Sequence, residues 1–215
     1  MLDPFQATLR GWLGEDQVAF NGGLLMEGQS GMSRARARAC RVDWLVPLLG
    51  LGRAFAPDAV PYLANTLKVR HVIDCRQEAC DDAELLAGHG MSLLHLPTLD
   101  HQAIAEPLLR EGVAWAVARL ERGERVLIHC EHGVGRSALL ALCVLVELGD
   151  APLAAMERAK AARSAVCPNT AQLRAFLAWC EAWRGERGAG WELPSLVALE
   201  EAALGPLGQA LRWPP

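Results

Sequence analysis

Short apolar runs alternate along this chain with longer segments in which apolar residues recur at helical spacing. The apolar runs near 48–53, 70–75, 92–96 and 125–129 predict β-strands. The longer segments near 59–67, 80–89, 105–122, 137–149, 152–162 and 169–184 predict helices. Strands that alternate with helices indicate an α/β fold with a central, mostly parallel sheet and helices on both faces.

The two ends of the chain carry weaker patterns. In residues 1–40 a short helical pattern with Phe5, Leu9, Trp12 and Leu13 is followed by a glycine-rich stretch from Gly22 to Gly31. Glycines from Gly185 to Gly190 are typical of a linker. Beyond them lies a further helical stripe of Leu196, Leu199, Ala203, Leu207 and Leu211. We therefore predict an N-terminal extension over 1–40, one domain over 41–184 and a tail with a short helix over 185–215.

Composition narrows the class of protein. A chain of 215 residues with 52% hydrophobic content can bury one good core, and its net charge of −4 gives no reason to expect a nucleic acid partner. The longest apolar stretch, Ala138 to Leu148, is too short to span a bilayer. The acidic N-terminal stretch does not resemble a signal peptide. Oligomeric state is left open by these data.

The cysteines point to a reducing compartment. There are seven, an odd number, and they lack the spacing of metal ligands. We expect a cytoplasmic protein without a bound metal or other cofactor.

One stretch carries recognisable chemistry. His129-Cys130-Glu131-His132-Gly133-Val134-Gly135-Arg136-Ser137 directly follows the apolar run Val126-Leu127-Ile128. A loop between a strand and a helix turns backbone N–H groups inward and adds the positive end of the helix dipole, which makes an anion site. The glycines permit the tight curve, and the planar guanidinium of Arg136 matches phosphate oxygens. The same positive field stabilises a thiolate, so Cys130 is predicted to be a nucleophile at the base of a phosphate cradle.

This stretch resembles the signature loop of the cysteine-dependent protein phosphatases, and the surrounding sequence most resembles their dual-specificity branch. The likeness runs from about Val42 to Trp183. It includes Leu48 to Arg53, which resembles the family's first-strand segment, His71 to Glu78, which resembles a "VIDLRxE" strand end, and Arg163 to Asn169, which resembles an "RPxxxPN" loop. The resemblance implies the protein tyrosine/dual-specificity phosphatase fold and a phosphocysteine intermediate.

The resemblance also implies a general acid on a loop before the nucleophile. Asp100 fits by distance and context, because it follows the predicted strand near 92–96 and precedes the helix near 105–122. The alternative for Asp100 is that it only caps that helix. Asp81 and Asp82 are the main competitors, but they open another helix and are expected to cap it. Glu106 lies too far into the next helix to swing over the cradle.

Further roles follow from the same resemblance. The substrate phosphate is expected to bind the loop residues Glu131, His132, Gly133, Val134, Gly135 and Arg136. Ser137 resembles the hydroxyl that helps the thiolate leave, with a plain helix cap as the alternative. His129 is expected to order the loop by hydrogen bonding from below, and His132 to point outward at the mouth.

Three other predictions concern supporting residues. Asn169 is expected to brace the loop, and Gln172 either orients water or is a surface residue. Cys75 or Cys80 is a candidate to trap an oxidised Cys130, with a structural thiol as the alternative.

The substrate class is predicted from the scarcity of tyrosine and from the lack of lysine in the signature loop. Tyr62 is the only tyrosine, no aromatic recognition loop is visible, and the variable positions of the signature loop include no lysine. These features favour a permissive mouth and a phosphorylated protein or peptide as substrate. An inositol phosphate or phosphoinositide substrate and a catalytically silent phosphate-binding module are the alternatives.

Overall fold

A five-stranded sheet forms the centre of the molecule in a computed structural model, which describes residues 40–188 and 190–205. Its strands are β1 (Val42–Val46), β2 (Leu49–Arg53), β3 (Val69–Arg76), β4 (Ser92–Thr98) and β5 (Arg125–Cys130). They lie in the order β1-β2-β5-β3-β4. Strands β2, β5, β3 and β4, which are neighbours in that order, run parallel, and β1 pairs antiparallel with β2. The predicted α/β fold with a mostly parallel sheet is confirmed.

Strand β1 was missed by the sequence pattern. It has five residues, lies at the edge of the sheet and turns directly into β2. A strand of five residues shows too few alternating positions for a clear apolar pattern, so its sequence alone is a weak signal.

Seven α-helices lie within the described residues. They are α1 (Val60–Asn65), α2 (Ala83–Gly88), α3 (Glu106–Leu120), α4 (Arg136–Glu147), α5 (Pro152–Ala162), α6 (Thr170–Arg187) and α7 (Leu196–Leu204). Helix α6 continues into the predicted linker as far as Arg187, and its C-cap residue is Gly188, whose φ of 65° is left-handed. Part of the predicted linker is therefore helix, although the linker residues that it includes are exposed and the last buried residue of α6 is Cys180.

The C-terminal helix α7 belongs to the main core. Leu199 and Ala203, two residues of the predicted stripe, are buried there with residues of α5 and α6. Leu207, Leu211 and the patterns predicted in residues 1–39 lie outside the described residues.

Helices cover both faces of the sheet. One face packs against α3 to α7 and includes Val126 and Ile128, whereas the other packs against α1 and α2 and includes Leu127. Strand β5 is thus apolar on both sides, as expected for a central parallel strand. It leads straight into α4, which is buried from Arg136 to Val146. Among the described helices, none is both long and apolar enough to cross a membrane.

Candidate active site

The signature loop lies where β5 ends and α4 begins, at the carboxyl edge of the parallel strands. Open α/β sheets bind their ligands at this edge. Gly133 has a φ of 66°, and a Cβ atom on it would lie 2.3 Å from the carbonyl oxygen of Gly52 in β2. Only glycine fits this position, so the sequence feature has both a conformational and a steric cause.

Cys130 lies at the base of the loop and is 3% exposed. Its Sγ is 3.2 Å from the hydroxyl oxygen of Ser137 and accepts a hydrogen bond of 3.3 Å from the backbone N–H of Gly133. Burial alone would raise the pKa of this thiol. Hydrogen bonds from the Ser137 hydroxyl and from the backbone N–H groups of Ser137, Gly133 and His132 outweigh burial and lower the pKa.

Ser137 does not cap the helix. Helix α4 begins at Arg136, Gly135 is its N-cap residue, and there is no side-chain cap. The Ser137 hydroxyl, in the first turn, is instead directed at the thiol. The geometry matches the predicted role at the nucleophile and contradicts the alternative of a plain cap.

Arg136 is buried beside the cysteine, with 1% of its surface exposed. Its two terminal nitrogens donate hydrogen bonds of 2.8 Å to the two carboxylate oxygens of Glu78, and Nη1 also donates to the carbonyl oxygen of Thr98 at 2.8 Å. The remaining donor, Nε, is buried and has no hydrogen-bond partner within the described residues. Because an unpaired buried donor is costly, this edge of the guanidinium is suited to a ligand oxygen.

Glu78 is a site residue that sequence reasoning quoted but gave no role. Its hydrogen bonds from Arg136 lower its pKa to about 2. An ionised carboxylate that faces a guanidinium through two hydrogen bonds fixes the plane of that guanidinium. The only signal in the sequence was the position of Glu78, two residues after the end of β3.

Asp100 also contacts the guanidinium of Arg136. One carboxylate oxygen lies 3.0 Å from Nη2 of Arg136, and the side chain is 50% exposed. Asp100 lies between β4 and α3, six residues before the helix begins at Glu106, and the N-cap of that helix is Ala105. The alternative that it caps α3 is wrong. The structure therefore places the predicted acid at the mouth of the loop.

Asn169 and Gln172 hold the Asp100 loop. Asn169 is the N-cap residue of α6, and its side-chain amide donates a 2.7 Å hydrogen bond to the carbonyl of His101. The Gln172 amide donates to the carbonyl of Gln102 at 3.0 Å. The expected brace of the signature loop by Asn169 is not seen, since its amide bonds to the Asp100 loop.

Gln172 is not a surface residue. It is buried, and a Cβ atom on Gly135 would lie 2.6 Å from its side-chain oxygen. Gln172 thus touches the signature loop and the Asp100 loop at once. Its predicted action on water remains untested.

His129 and Asp81 form a buried pair under the loop. Nε2 of His129 lies 2.7 Å from Oδ2 of Asp81, whose other oxygen accepts a hydrogen bond of 2.8 Å from Arg76. The predicted hydrogen bond from His129 to the loop is absent among the described residues, where its Nδ1 has no partner. The prediction that Asp81 caps α2 is wrong as well, because Asp82 alone accepts the hydrogen bonds of that N-terminus.

Two groups of possible metal ligands occur here, one of which includes this pair. They are Asp74, Cys80 and His95, and Asp74, Asp81 and His129. Both groups share Asp74, whose carboxylate accepts hydrogen bonds from the guanidinium of Arg76. The described geometry is that of a buried charge network.

The remaining loop residues differ in exposure. His132 is exposed, as expected for a residue at the mouth, and Val134 is half-buried. Glu131 is 42% exposed, with Oε2 3.5 Å from Arg76. The outer carbonyls of the loop accept hydrogen bonds from Arg163 and from the backbone N–H of Cys167, which sequence reasoning did not predict.

The two candidate resolving cysteines lie in different environments. Asp74 pairs with His129 across β3 and β5, so the next residue, Cys75, lies level with Cys130. Cys75 is completely buried, and burial, followed by the nearby Cys130 and Asp74, raises its pKa well above the ordinary value. Cys80 is exposed. All seven cysteines are free, and a redox role for Cys75 or Cys80 stays a prediction.

Comparison with known proteins identifies the family to which this chain belongs. The sequence model of the dual specificity phosphatase catalytic domain matches residues 54–182. The chain belongs to the dual specificity phosphatase family. The resemblance found in the sequence is thereby confirmed, and the family supports a cysteine-based phosphatase.

One sequence relative in this family is dual specificity protein phosphatase 5 of Homo sapiens. It is 28% identical over 127 residues, which are 58% of this chain and 32% of that protein. The match thus spans about a third of the relative's length.

Solved structures share the fold of this family member. PTPMT1 in complex with PI(5)P has a TM-score of 0.64 at 22% identity and covers 69% of this chain and 99% of its own. Human DUSP28 has a TM-score of 0.61 at 23% identity, with 68% and 99% covered. Tk-PTP in its active form has a TM-score of 0.61 at 22% identity, with 65% and 96% covered.

Proposed function

We propose that this chain hydrolyses phosphate monoesters through a phosphocysteine intermediate and that its substrates are phosphorylated proteins or peptides. One observation carries the proposal. A thiol with a lowered pKa, a buried guanidinium with an unpaired Nε and a carboxyl group 3.0 Å from that guanidinium converge on one loop. Nucleophile, anion holder and proton donor are the three parts that phosphate ester cleavage requires.

In the first step the Cys130 thiolate attacks phosphorus. A sulfur–phosphorus bond forms, the bond from phosphorus to the leaving oxygen breaks, and Asp100 gives its proton to that oxygen. Arg136 and the inward amides of the loop hold the equatorial oxygens, which supplies the electrostatic stabilisation on which phosphoryl transfer depends.

In the second step water attacks the phosphocysteine. The Asp100 carboxylate accepts a proton from the water, the sulfur–phosphorus bond breaks and inorganic phosphate is released. Ser137 donates a hydrogen bond to the departing sulfur, for which its hydroxyl is already 3.2 Å away. Positive charge is supplied by protein groups throughout, so no metal ion is assigned a role.

The charge at the mouth supports a protein substrate. Glu131, Asp100 and Glu78 each expose a carboxylate near the cradle, and the variable loop positions contain no lysine. These carboxylates pair with Arg136 and Arg76, so they leave little free cationic charge for a ligand with several phosphates, whereas basic neighbours of a phosphorylated residue could contact them. The shared fold with PTPMT1 in complex with PI(5)P is the reason to test a phosphoinositide directly.

Partner and location follow from the same chemistry. A nucleic acid partner is not expected at a net charge of −4. A catalytic thiolate and seven free cysteines suit a reducing compartment, so we propose the cytoplasm.

The proposal is tested with a generic aryl phosphate and then with a substrate panel. The panel compares phosphotyrosine peptides, phosphoserine and phosphothreonine peptides, and PI(5)P in vesicles, with and without a chelator. We expect hydrolysis that a chelator leaves intact and that is fastest for peptides. Binding of phosphate without turnover would identify a silent module, and preference for PI(5)P would reverse the substrate assignment.

A charge reversal sharpens the substrate test. Glu131→Lys should shift the ratio of kcat/KM values toward PI(5)P by several-fold, because it places a cation beside the cradle. Glu181→Lys is the matched control. Glu181 is exposed on α6, eleven residues past the start of that helix and hence about 16 Å along it. An equal shift in both variants would show that total charge, and not the loop position, sets the preference.

A further inference from the structure

On the outer side of the signature loop, two carbonyls contact one arginine, Arg163, which begins the loop between α5 and α6. Nη2 of Arg163 donates a 2.7 Å hydrogen bond to the carbonyl of His132, and Nε donates a 2.8 Å hydrogen bond to the carbonyl of Gly133. Arg163 lies thirty residues further along the chain and only 13% of its side chain is exposed. It contacts two successive peptide groups through Nε and Nη2, the two donors of one edge of its rigid plane.

Because peptide groups are planar, the hydrogen bonds from Arg163 to two carbonyls also fix the direction of the adjoining N–H groups near Cys130. In a planar trans peptide the C=O and N–H bonds point in opposite directions. When Arg163 holds the His132 carbonyl outward, the N–H of Gly133 in the same peptide must point inward. That N–H is the one that donates to Cys130 Sγ at 3.3 Å. The carbonyl of Gly133 likewise turns the N–H of Val134 toward the cradle.

The arginine is itself held from the first strand. Its Nη1 lies 2.7 Å from Oδ2 of Asp43 in β1, and the Asp43 side chain is 6% exposed. The carboxylate neutralises the guanidinium and fixes its orientation, since charge-assisted hydrogen bonds are short and directional. A buried arginine without this partner would be costly. The sequence separation of 120 residues explains why no local pattern revealed the pair.

We propose that Arg163, held by Asp43, is a positioning residue that keeps two amides of the signature loop pointed at the thiolate and the bound phosphate. The proposal rests on the proposed function for its effect on turnover. It concerns Arg163 acting through the loop, not contact with the substrate. Strand β1, which the sequence pattern missed, thereby becomes part of the catalytic framework.

The test uses the full chain with Arg163→Lys, which keeps the charge but cannot hold two carbonyls in one plane. We expect kcat/KM for an aryl phosphate to fall by up to about 10²-fold, the size of effect known for small misplacements in active sites. The pH midpoint of Cys130 alkylation by iodoacetate should move upward, and inorganic phosphate should bind more weakly in calorimetry.

The matched control is Arg158→Lys. Arg158 lies on the neighbouring helix α5 and pairs with the buried carboxylate of Asp150 at 2.7 Å. It should leave the midpoint and the phosphate affinity as in the wild type, even if it lowers the melting temperature. An Arg163→Lys variant with wild-type alkylation midpoint and phosphate affinity would overturn the proposal.

Asp43→Asn provides a second measurement that does not depend on the folding of Arg163→Lys. It keeps the shape and one acceptor oxygen but removes the charge, so it should move the midpoint in the same direction and by less. An unchanged midpoint and phosphate affinity here would remove Asp43 from the proposal. A wild type that fails to hydrolyse any phosphate ester, with the midpoint still shifted in Arg163→Lys, would refute the proposed function and support the positioning role.

Discussion

The signature loop and the Asp100 loop meet at the same arginine but are built in different ways. From Cys130 to Ser137 the signature loop is continuous in the chain, and its nucleophile and arginine are both buried. The Asp100 loop exposes half of its carboxyl side chain and is tied down by residues 68 and 70 positions away. The groups that bind phosphate are thus supplied by one short segment, although Glu78 and Arg163 orient them from elsewhere in the chain, whereas the proton donor lies on a separate loop that distant residues hold near the cradle.

The difference matches the proposed roles of the two loops, which are phosphate binding by the signature loop and proton donation by the Asp100 loop. Preorganised amides work best when they do not move during the reaction. A proton donor must follow the leaving group, and loops that close over substrates commonly do this. Variants of the two loops should therefore fail in different ways.

The largest effect is expected from the base of the signature loop. Cys130→Ser should abolish turnover of an aryl phosphate, because a hydroxyl at this position is far less nucleophilic than a thiolate. The cradle itself remains, so inorganic phosphate should still bind in calorimetry. Residual hydrolysis at the wild-type rate would contradict the mechanism.

Arg136→Lys should cause the next largest loss of activity. A point charge cannot reproduce the plane that Glu78 holds with two hydrogen bonds of 2.8 Å, and arginines that stabilise phosphoryl-transfer transition states contribute about 10³–10⁵-fold. Steady-state kcat with an aryl phosphate measures the loss. A wild-type rate would mean that the arginine is only structural.

Asp100→Asn should lower kcat by ~10²–10⁴-fold for an ester with a poor leaving group. The deficit should shrink for an activated aryl phosphate, whose leaving group needs little protonation. Asp82→Asn is the control, since Asp82 caps α2 and accepts its hydrogen bonds from the backbone of that helix. Asp81→Asn is unsuitable as a control because Asp81 bonds to His129. If Asp82→Asn alone reduced kcat, the acid would be misassigned.

Asn169→Ala tests whether distant contacts hold the Asp100 loop. It removes a helix N-cap, which costs about 1 kcal/mol of stability, and it also removes the hydrogen bond to the carbonyl of His101. Asp82→Ala removes a comparable cap elsewhere. Both should lower the free energy of unfolding in urea, but only Asn169→Ala should reduce kcat for poor leaving groups. Equal kinetics in the two variants would deny Asn169 any role beyond capping.

The smallest effect concerns pH. Because the folded pKa of Cys130 is lowered, its contribution to stability is present above the unfolded pKa and is lost as pH falls through the folded value. Ser137→Ala removes one hydrogen bond to the thiolate, so the midpoint of iodoacetate alkylation should move to higher pH. An unmoved midpoint in Ser137→Ala would show that the backbone amides alone lower the pKa of Cys130.

Peroxide should inactivate the wild-type enzyme, and a thiol reductant should restore its activity.

Several features of this molecule could be predicted because their causes are local. The apolar run of β5, the glycine at φ 66° and the spacing of Cys130 and Arg136 together specify a strand, a tight loop and a helix. The alternation of strands and helices along the chain indicated an α/β fold, and Asp100 was found from the family resemblance together with its position between two elements. The signals of the signature loop all lie within one short segment.

Other features were decided only by tertiary packing. The partners of Arg136, Arg163 and His129 are Glu78, Asp43 and Asp81, which lie 58, 120 and 48 residues away. Which donor meets which acceptor depends on how strands and helices pack, since the hydrogen bonds of a buried side chain must be satisfied by whatever group lies beside it. A sequence read segment by segment contains the residues of the site, but their pairings exist only in the folded chain.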